Sequence, residues 1–174
     1  MQIRLARQED SVAVVEIIKR VFDEYGFTWE EENYHADLYD LDQHYFDLGH
    51  LFWIAETDEG APIGTVALSF FETLPGAPDT TIELDGEVRL ARCDCALNRL
   101  YVKPDSRKLG AGSVLMKTVI AAAKAKDCQL MEIWSDKRFG DAHRLYERFG
   151  AKMIGDRICD DPDVSPEWGL ILEL

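Results

Sequence analysis

The stretch LYVKPDSRKLGAGSVLM, Leu100 to Met116, contains the change from strand to helix on which the fold prediction depends. It begins with the end of a strand-like run and opens an Ala-rich segment that continues to Lys126. Between the two lies Arg107-x-x-Gly110-x-Gly112. Glycines let backbone amides turn toward one point, and a helix N-terminus adds partial positive charge. The stretch therefore predicts either an anion site or only the turn that joins a strand to a helix.

The hydrophobic pattern on both sides of this stretch predicts a mixed α/β fold. A strand–helix–strand unit from 97 to 135 requires a parallel pair, whereas the adjacent strands before it favour antiparallel hairpins. The βαβ unit does not repeat, which excludes a doubly wound nucleotide fold. The predicted elements are strands at 2–6, 51–56, 63–71, 81–84, 87–102 (with a bulge), 130–135, 151–157 and 168–173, helices at 11–22, 112–126 and 139–149, and one or two loosely packed helices within 29–48.

Length, charge and cysteine spacing narrow the class of protein. A chain of 174 residues predicts a single domain over 1–174. No apolar run reaches the roughly 18 residues of a membrane span, and the N-terminus does not resemble a signal peptide, so we expect a cytoplasmic protein without a membrane partner. A net charge of −14 argues against nucleic-acid binding. It favours either solubility alone or attraction of a cationic amine. The four cysteines form no paired C-x-x-C, so no metal site is predicted.

Two motifs resemble those of the GCN5-related N-acetyltransferase (GNAT) superfamily. The opening stretch is similar to the family's acetyl-CoA-binding motif, a strand L-x-V-x-P followed by [RQ]-x-x-G-x-[GA] and a helix, and every anchor is present: Leu100, Val102, Pro104, Arg107, Gly110 and Gly112. Downstream, AHRLYERFGAKMIG (Ala142 to Gly155) resembles the signature A-x-x-L-Y-x-x-x-G-F. The resemblance implies the GNAT fold, a mixed, mostly antiparallel sheet of six to seven strands flanked by helices, with a splayed parallel pair.

The resemblance also implies acetyl-CoA as co-substrate and names the residues that would bind it. Amides of Lys108 to Gly112 would hold the pyrophosphate, and the strand Leu100 to Val102 would pair with the pantetheine arm. His143 allows two interpretations, a contact with the co-substrate or a surface residue. The candidate co-substrate residues are Leu100, Tyr101, Val102, Arg107, Lys108, Leu109, Gly110, Ala111, Gly112, Ser113, Arg138, Phe139 and His143.

The catalytic groups follow from the same resemblance. Tyr146 aligns with the tyrosine that serves the family as general acid. Many relatives carry a glutamate as base where this chain has Ala96, and Asp94, two residues earlier, is the candidate that replaces it. Glu87, Glu132 and water held by Asn98 remain alternatives for the base.

These motifs predict an acetyl-CoA-dependent N-acetyltransferase that acts on the primary amine of a small molecule or peptide. The alternative is a catalytically weak acyl-CoA-binding sensor, which the missing glutamate at Ala96 favours. The acceptor would bind the variable segments Phe27 to Leu48 and Thr73 to Glu87. The first segment is aromatic and acidic, which suits a cation but also describes an ordinary solvated helix pair. A homodimer would be usual for the family, and the sequence does not determine the oligomeric state.

Overall fold

Nine strands and three α-helices follow one another along the chain in the computed structural model, which describes residues 1–174. The helices and strands are β1 (Gln2–Leu5), α1 (Ser11–Tyr25), β2 (Leu51–Glu56), β3 (Pro62–Phe70), β4 (Thr81–Leu84), β5 (Glu87–Leu90), β6 (Cys95–Val102), α2 (Ala111–Ala125), β7 (Leu130–Asp136), α3 (Gly140–Arg148), β8 (Lys152–Ile158) and β9 (Pro166–Glu173). None of the helices has the length and apolarity that a membrane span requires.

Seven of the strands form one sheet in the order β1-β2-β3-β6-β7-β9-β8. The pairs β1–β2, β2–β3, β7–β9 and β8–β9 are antiparallel, and β6 pairs with β7 in parallel. This confirms the predicted mixed, mostly antiparallel sheet with one parallel pair. The two remaining strands, β4 and β5, form a separate antiparallel hairpin.

The chain divides into two compact units, and the prediction of a single domain stays a prediction. The first unit contains 1–69 and 99–119, and its core is built on the apolar face of α1. That face buries Val14, Ile17, Ile18, Val21 and Phe22, and each buried side chain of this size contributes about 1.5–3 kcal/mol. Gly26 ends α1 in the left-handed conformation, as the sequence predicts.

The segment after α1 does not form the loosely packed helices that the sequence predicts. It contains only two short helical turns, at Ala36–Leu38 and Asp42–Phe46, and Leu38 and Leu41 are completely buried. Side chains from the preceding residues satisfy its backbone: the Ser11 hydroxyl donates to the Leu38 carbonyl, and the Gln8 amide donates to the Tyr39 carbonyl. Because these carbonyls have partners outside the segment, a continuous helix is not needed to satisfy them.

The second unit, 70–98 with 120–174, corrects the prediction of one long strand at 87–102. The chain leaves β5 after Leu90, passes through four residues outside any strand, and enters β6 at Cys95. The buried Glu132 carboxylate on β7 accepts the Leu90 amide (2.8 Å) and the Arg89 Nε (2.6 Å). Leu90 therefore packs with Cys93 and Ile171 instead of continuing in the main sheet.

Candidate active site

The glycine loop, which we define as Arg107–Gly112, includes the first two residues of α2. Lys108 and Gly110 both have positive φ, 65° and 86°. Lys108, Leu109 and Gly110 are exposed, and the amide of Val114 makes a helical bond to the Gly110 carbonyl (3.1 Å). The amides before Val114 belong to the first turn of the helix, where no carbonyl lies one turn back to accept them. The loop is thus a solvent-facing helix N-terminus in a conformation that suits a diphosphate.

Arg107 does not direct its guanidinium toward solvent at this loop. Its two terminal nitrogens donate to the two carboxylate oxygens of Glu24 near the end of α1, at 2.9 and 2.6 Å. Its Nε lies 3.3 Å from the Val102 carbonyl. The sequence placed Arg107 among the residues that bind the co-substrate, whereas these contacts connect the loop to α1.

Two further ion pairs join the residues before the glycine loop to the same face of α1. Lys103 contacts Glu16 at 2.8 Å, and Arg20 contacts Asp105 at 3.4 Å. The three contacting residues on α1, Glu16, Arg20 and Glu24, are spaced four apart, so they share one face of the helix. Their partners, Lys103, Asp105 and Arg107, are spaced two apart along the chain. Three ion pairs of alternating polarity therefore connect residues 103–107, which lead into the loop, to α1.

The regular backbone conformation of strand β6 is interrupted at Arg99. Its parallel register with β7 comprises Cys95 to Leu97 opposite Met131 to Ile133, although β6 continues to Val102. Arg99 has a φ of 52°, a left-handed conformation that interrupts the alternation of side chains along a strand. This irregularity fits the bulge predicted for 87–102, and Leu100 to Val102, the predicted partners of the pantetheine arm, follow it directly.

The side chain and backbone of Arg99 are both firmly held. Its guanidinium donates two hydrogen bonds to the Asp37 carboxylate (3.0 and 2.7 Å) and one to the Tyr34 carbonyl (2.9 Å). The Thr65 hydroxyl donates to the Arg99 carbonyl at 2.8 Å, and the Tyr45 hydroxyl also donates to Asp37. Burial opposes the charge, yet the Asp37 carboxylate raises the pKa of Arg99 well above its ordinary value. Arg99 and Asp37 thus form a largely buried ion pair with two hydrogen bonds between its partners.

Two of the three carboxylates proposed as general base, Asp94 and Glu132, make structural hydrogen bonds, whereas Glu87 is exposed at the start of β5. Asp94 precedes β6, and its oxygens accept the amides of Gln129 (2.8 Å) and Leu130 (3.2 Å). Glu132 is buried against Arg89, as described above. Through these contacts Asp94 and Glu132 stabilise the structure, which argues against either of them as the general base. The assignment of Asp94 as the base stays a prediction.

Asp94 also belongs to a group of potential metal ligands. One oxygen of Asp94 and the sulfurs of Cys95 and Cys128 all lie within 4.8 Å of one another. Burial raises the pKa of both thiols, whereas a metal binds the thiolate. Since both Asp94 oxygens already accept amides, the group is better described as a packed pair of thiols. All four cysteines, these two with Cys93 and Cys159, are buried, and none of them forms a disulfide.

Helix α3 buries both of its chemically interesting side chains. Tyr146 is 4% exposed and His143 is 9% exposed. The His143 Nε2 lies 3.1 Å from the Ser135 hydroxyl, and burial lowers the pKa of His143 below its ordinary value. The interpretation of His143 as a surface residue is therefore wrong. Its contact with the co-substrate and the acid role of Tyr146 stay predictions.

Arg138 and Phe139 form the connection from β7 to α3. The Arg138 guanidinium donates to both oxygens of Asp136 (2.9 and 2.6 Å) and to the Ser165 hydroxyl (2.8 Å). Although burial acts in the opposite direction, Arg138 holds the pKa of Asp136 below its usual range. The Phe139 amide donates to the Asp136 carbonyl at 3.0 Å. Arg138 thus stabilises the end of β7, and its contact with the co-substrate stays a prediction.

His35 was not identified from the sequence, although its ring lies at the centre of a cluster of aromatic side chains. Its ring stacks on Trp29 with centroids 3.8 Å apart, and it meets Phe22 and Tyr34 edge-on at 4.7 and 4.9 Å. His35 is completely buried, its Nδ1 lies 3.2 Å from the Glu30 amide, and its Nε2 has no hydrogen-bond partner in the protein. The signal that could have found it is the number of aromatic residues close to it in the sequence, with Trp29, Tyr34 and Tyr39 within six positions.

Comparison with known proteins gives a consistent result. The model of the acetyltransferase (GNAT) family matches residues 15–151. A GNAT-family acetyltransferase from Staphylococcus aureus Mu50 superposes with a TM-score of 0.75 at 18% identity, covering 99% of this chain and 98% of that one. YncA of Salmonella typhimurium, solved with its cofactor acetyl-CoA, gives a TM-score of 0.71 at 19% identity over 100% and 94%. Ribosomal-protein-alanine N-acetyltransferase from Brucella melitensis gives 0.68 at 17% identity over the full length of both chains. Among proteins with curated functions, none matches significantly.

Proposed function

Because the chain belongs to the GNAT acetyltransferase family, we propose that it transfers the acetyl group of acetyl-CoA to the primary amine of a small molecule or peptide. Acetyl-CoA is the acyl donor of this family. The observation that carries the proposal is the glycine loop, an exposed helix N-terminus with two residues in the left-handed conformation. An anion is stabilised there by backbone amides and by the helix dipole.

Within this proposal, the amides of Lys108 to Gly112 bind the diphosphate, and Leu100 to Val102 pair with the pantetheine arm. The amine attacks the thioester carbonyl, a C–N bond forms, the C–S bond breaks, and the amine gives its proton to Asp94 or to water. A backbone amide of β6 stabilises the developing oxyanion, which accelerates acyl transfer. Tyr146 gives its proton to the departing thiolate.

The acceptor class follows from the segment after α1. Phe27 to Leu48 combines aromatic rings with carboxylates, and the net charge of the whole chain is −14. A negative potential raises the local concentration of cationic molecules. We therefore favour an acceptor that carries positive charge, which fits a primary amine below its pKa. A cytoplasmic location and a homodimer accompany the proposal as predictions.

A second candidate function is an acyl-CoA sensor without efficient catalysis. Asp94 and Glu132, two of the carboxylates proposed as general base, are both engaged in structural hydrogen bonds. Without a base, the amine would lose its proton only to water, which slows transfer but leaves acetyl-CoA binding intact.

Calorimetry with acetyl-CoA, followed by release of free CoA in the presence of amines, polyamines and peptides, separates these functions. Binding with turnover supports the transferase, tight binding without turnover on the whole panel supports the sensor, and absence of binding refutes both. Gly110→Glu should abolish binding, because it places charge and bulk at the diphosphate. Gly60→Glu is the matched control, since Gly60 is also left-handed (φ 83°), also has free space around a Cβ, and lies in the turn between β2 and β3 instead of at a helix N-terminus.

Tyr146→Phe tests the proposed acid. It should lower kcat about 100-fold or more while acetyl-CoA affinity stays near the wild-type value. An unchanged kcat would leave Tyr146 with only a packing role. The melting temperature of the variant is measured alongside, because Tyr146 is buried.

A further inference from the structure

Arg99 adopts a conformation that its residue type disfavours. A left-handed residue in the middle of a strand is usually glycine, because the Cβ of other residues crowds the following carbonyl. Arg99 has a φ of 52° within β6, two residues after the last register pair with β7. Such strained conformations persist only where the surroundings hold them, and they are common at functional positions.

The surroundings of Arg99 hold it from three directions. The Asp37 carboxylate accepts two hydrogen bonds from the guanidinium, the Tyr34 carbonyl accepts a third, and the Thr65 hydroxyl donates to the backbone carbonyl of Arg99. Asp37 and Arg99 have side chains only 18% and 13% exposed. A salt bridge at this depth loses much if one partner is removed, because the other charge stays buried without compensation.

We propose that Asp37 is a positioning residue for acetyl transfer: by holding Arg99 in the left-handed conformation, it directs the backbone groups of Leu100 to Val102 that receive the thioester and pantetheine arm. This inference rests on the proposed function. Asp37 lies in a short helical turn of the segment after α1. This segment would therefore have a second role besides acceptor binding. Packing of that segment then determines the backbone geometry at the reacting carbonyl.

The contrast between glycine and alanine at position 99 tests the proposal. Two double variants, Asp37→Asn/Arg99→Gly and Asp37→Asn/Arg99→Ala, lack the ion pair equally and leave no buried charge unpaired. Glycine adopts the left-handed turn without an anchor, whereas alanine relaxes toward an ordinary strand. The two proteins differ by one methyl group, so their melting temperatures serve as the control for a general loss of stability.

We expect the glycine double variant to keep kcat within about threefold of wild type, and the alanine double variant to lose about 10- to 100-fold, because small misplacements of reacting groups have effects of that size. Asp37→Asn alone should resemble the alanine double variant. Affinity for acetyl-CoA, measured by calorimetry without an acceptor, should follow the same order with smaller differences. Equal kcat values for the two double variants would overturn the proposal.

The wild-type protein separates this result from failure of the proposed function. If wild type neither binds acetyl-CoA nor transfers acetyl groups, the proposed function is wrong and the positioning role falls with it. If wild type is active and the glycine and alanine variants behave alike in both kcat and affinity, only the role of Asp37 is refuted.

Discussion

Acidification should destabilise the protein through His35. Burial, reinforced by the positive charge of Arg99, lowers the pKa of His35 from 6.5 to about 4, against the opposite influence of the nearby Asp37 and Glu30 carboxylates and the Glu30 backbone. The folded protein therefore keeps the ring neutral at a pH where the unfolded chain already binds a proton. Between pH 6.5 and 4 the unfolded state binds more protons, so stability falls as the pH falls through this window.

The size of the effect follows from the difference between the two pKa values. At 1.36 kcal/mol per pKa unit, the fall from 6.5 to about 4 corresponds to about 3 kcal/mol, of which about 2 kcal/mol is lost between pH 7 and pH 4.5. The pKa of His35 is lowered because its ring is completely buried against Trp29 and Phe22. Its Nε2 has no hydrogen-bond partner in the protein that would stabilise the protonated ring.

Urea unfolding at pH 7 and pH 4.5 measures this contribution. Carboxylates titrate in the same range, so the quantity of interest is the difference between wild type and His35→Phe, in which their effects cancel. Wild type should lose about 2 kcal/mol more than His35→Phe over this interval. His44→Gln, a change at a half-buried histidine outside the ring stack, controls for removal of a histidine in general. If wild type and His35→Phe lose stability equally, the account of His35 as a buried neutral ring is wrong.

Three further substitutions test other parts of the structure. Glu24→Gln should weaken acetyl-CoA binding about threefold in calorimetry, because it breaks the contact that connects Arg107 and the glycine loop to α1. The change also removes a negative charge near an anion site, so tighter binding would show that Arg107 is better used as a phosphate ligand. Glu132→Gln should lower the free energy of unfolding, measured in urea, by about 3 kcal/mol, since it breaks a buried ion pair. A loss below about 1 kcal/mol, which is typical of an exposed ion pair, would contradict this. Gly169→Ala should cost about 1–3 kcal/mol by overpacking, because its Cβ would lie 2.7 Å from the Trp134 ring; an unchanged melting temperature would show that the ring yields freely.

Elements whose signals are local were predictable from the sequence. The apolar stripe of α1 and its stop at Gly26, the strand-to-helix change before α2, and the parallel pair that this change requires all follow from periodicity and turn residues a few positions apart. The GNAT motifs lie in the same local category, since their anchors span only Leu100 to Gly112 and Ala142 to Gly150. The structure confirms the fold that they implied.

Features decided by distant residues were not predictable in this way. The chain breaks after Leu90 because Glu132, 42 residues later, accepts its amide. The guanidinium of Arg107 contacts Glu24, 83 residues earlier, so a motif position reveals the residue type but not the direction of its side chain. His143 is polar, yet it is buried because Ser135 on β7 offers it a hydrogen bond. Each of these outcomes needs a partner that only the three-dimensional structure identifies.

The buried cysteines have a practical consequence for enzymology. Thiol reagents react with thiolates, and burial raises the pKa of Cys93, Cys95 and Cys128 and keeps all four sulfurs away from solvent. A chromogenic aromatic disulfide should therefore report free CoA in real time while the native enzyme contributes almost no colour. Addition of denaturant at the end of the same experiment would release four equivalents of protein thiol, which calibrates the enzyme concentration in the cuvette. Turnover numbers could thus be obtained from the unmodified sequence, without a cysteine-free variant.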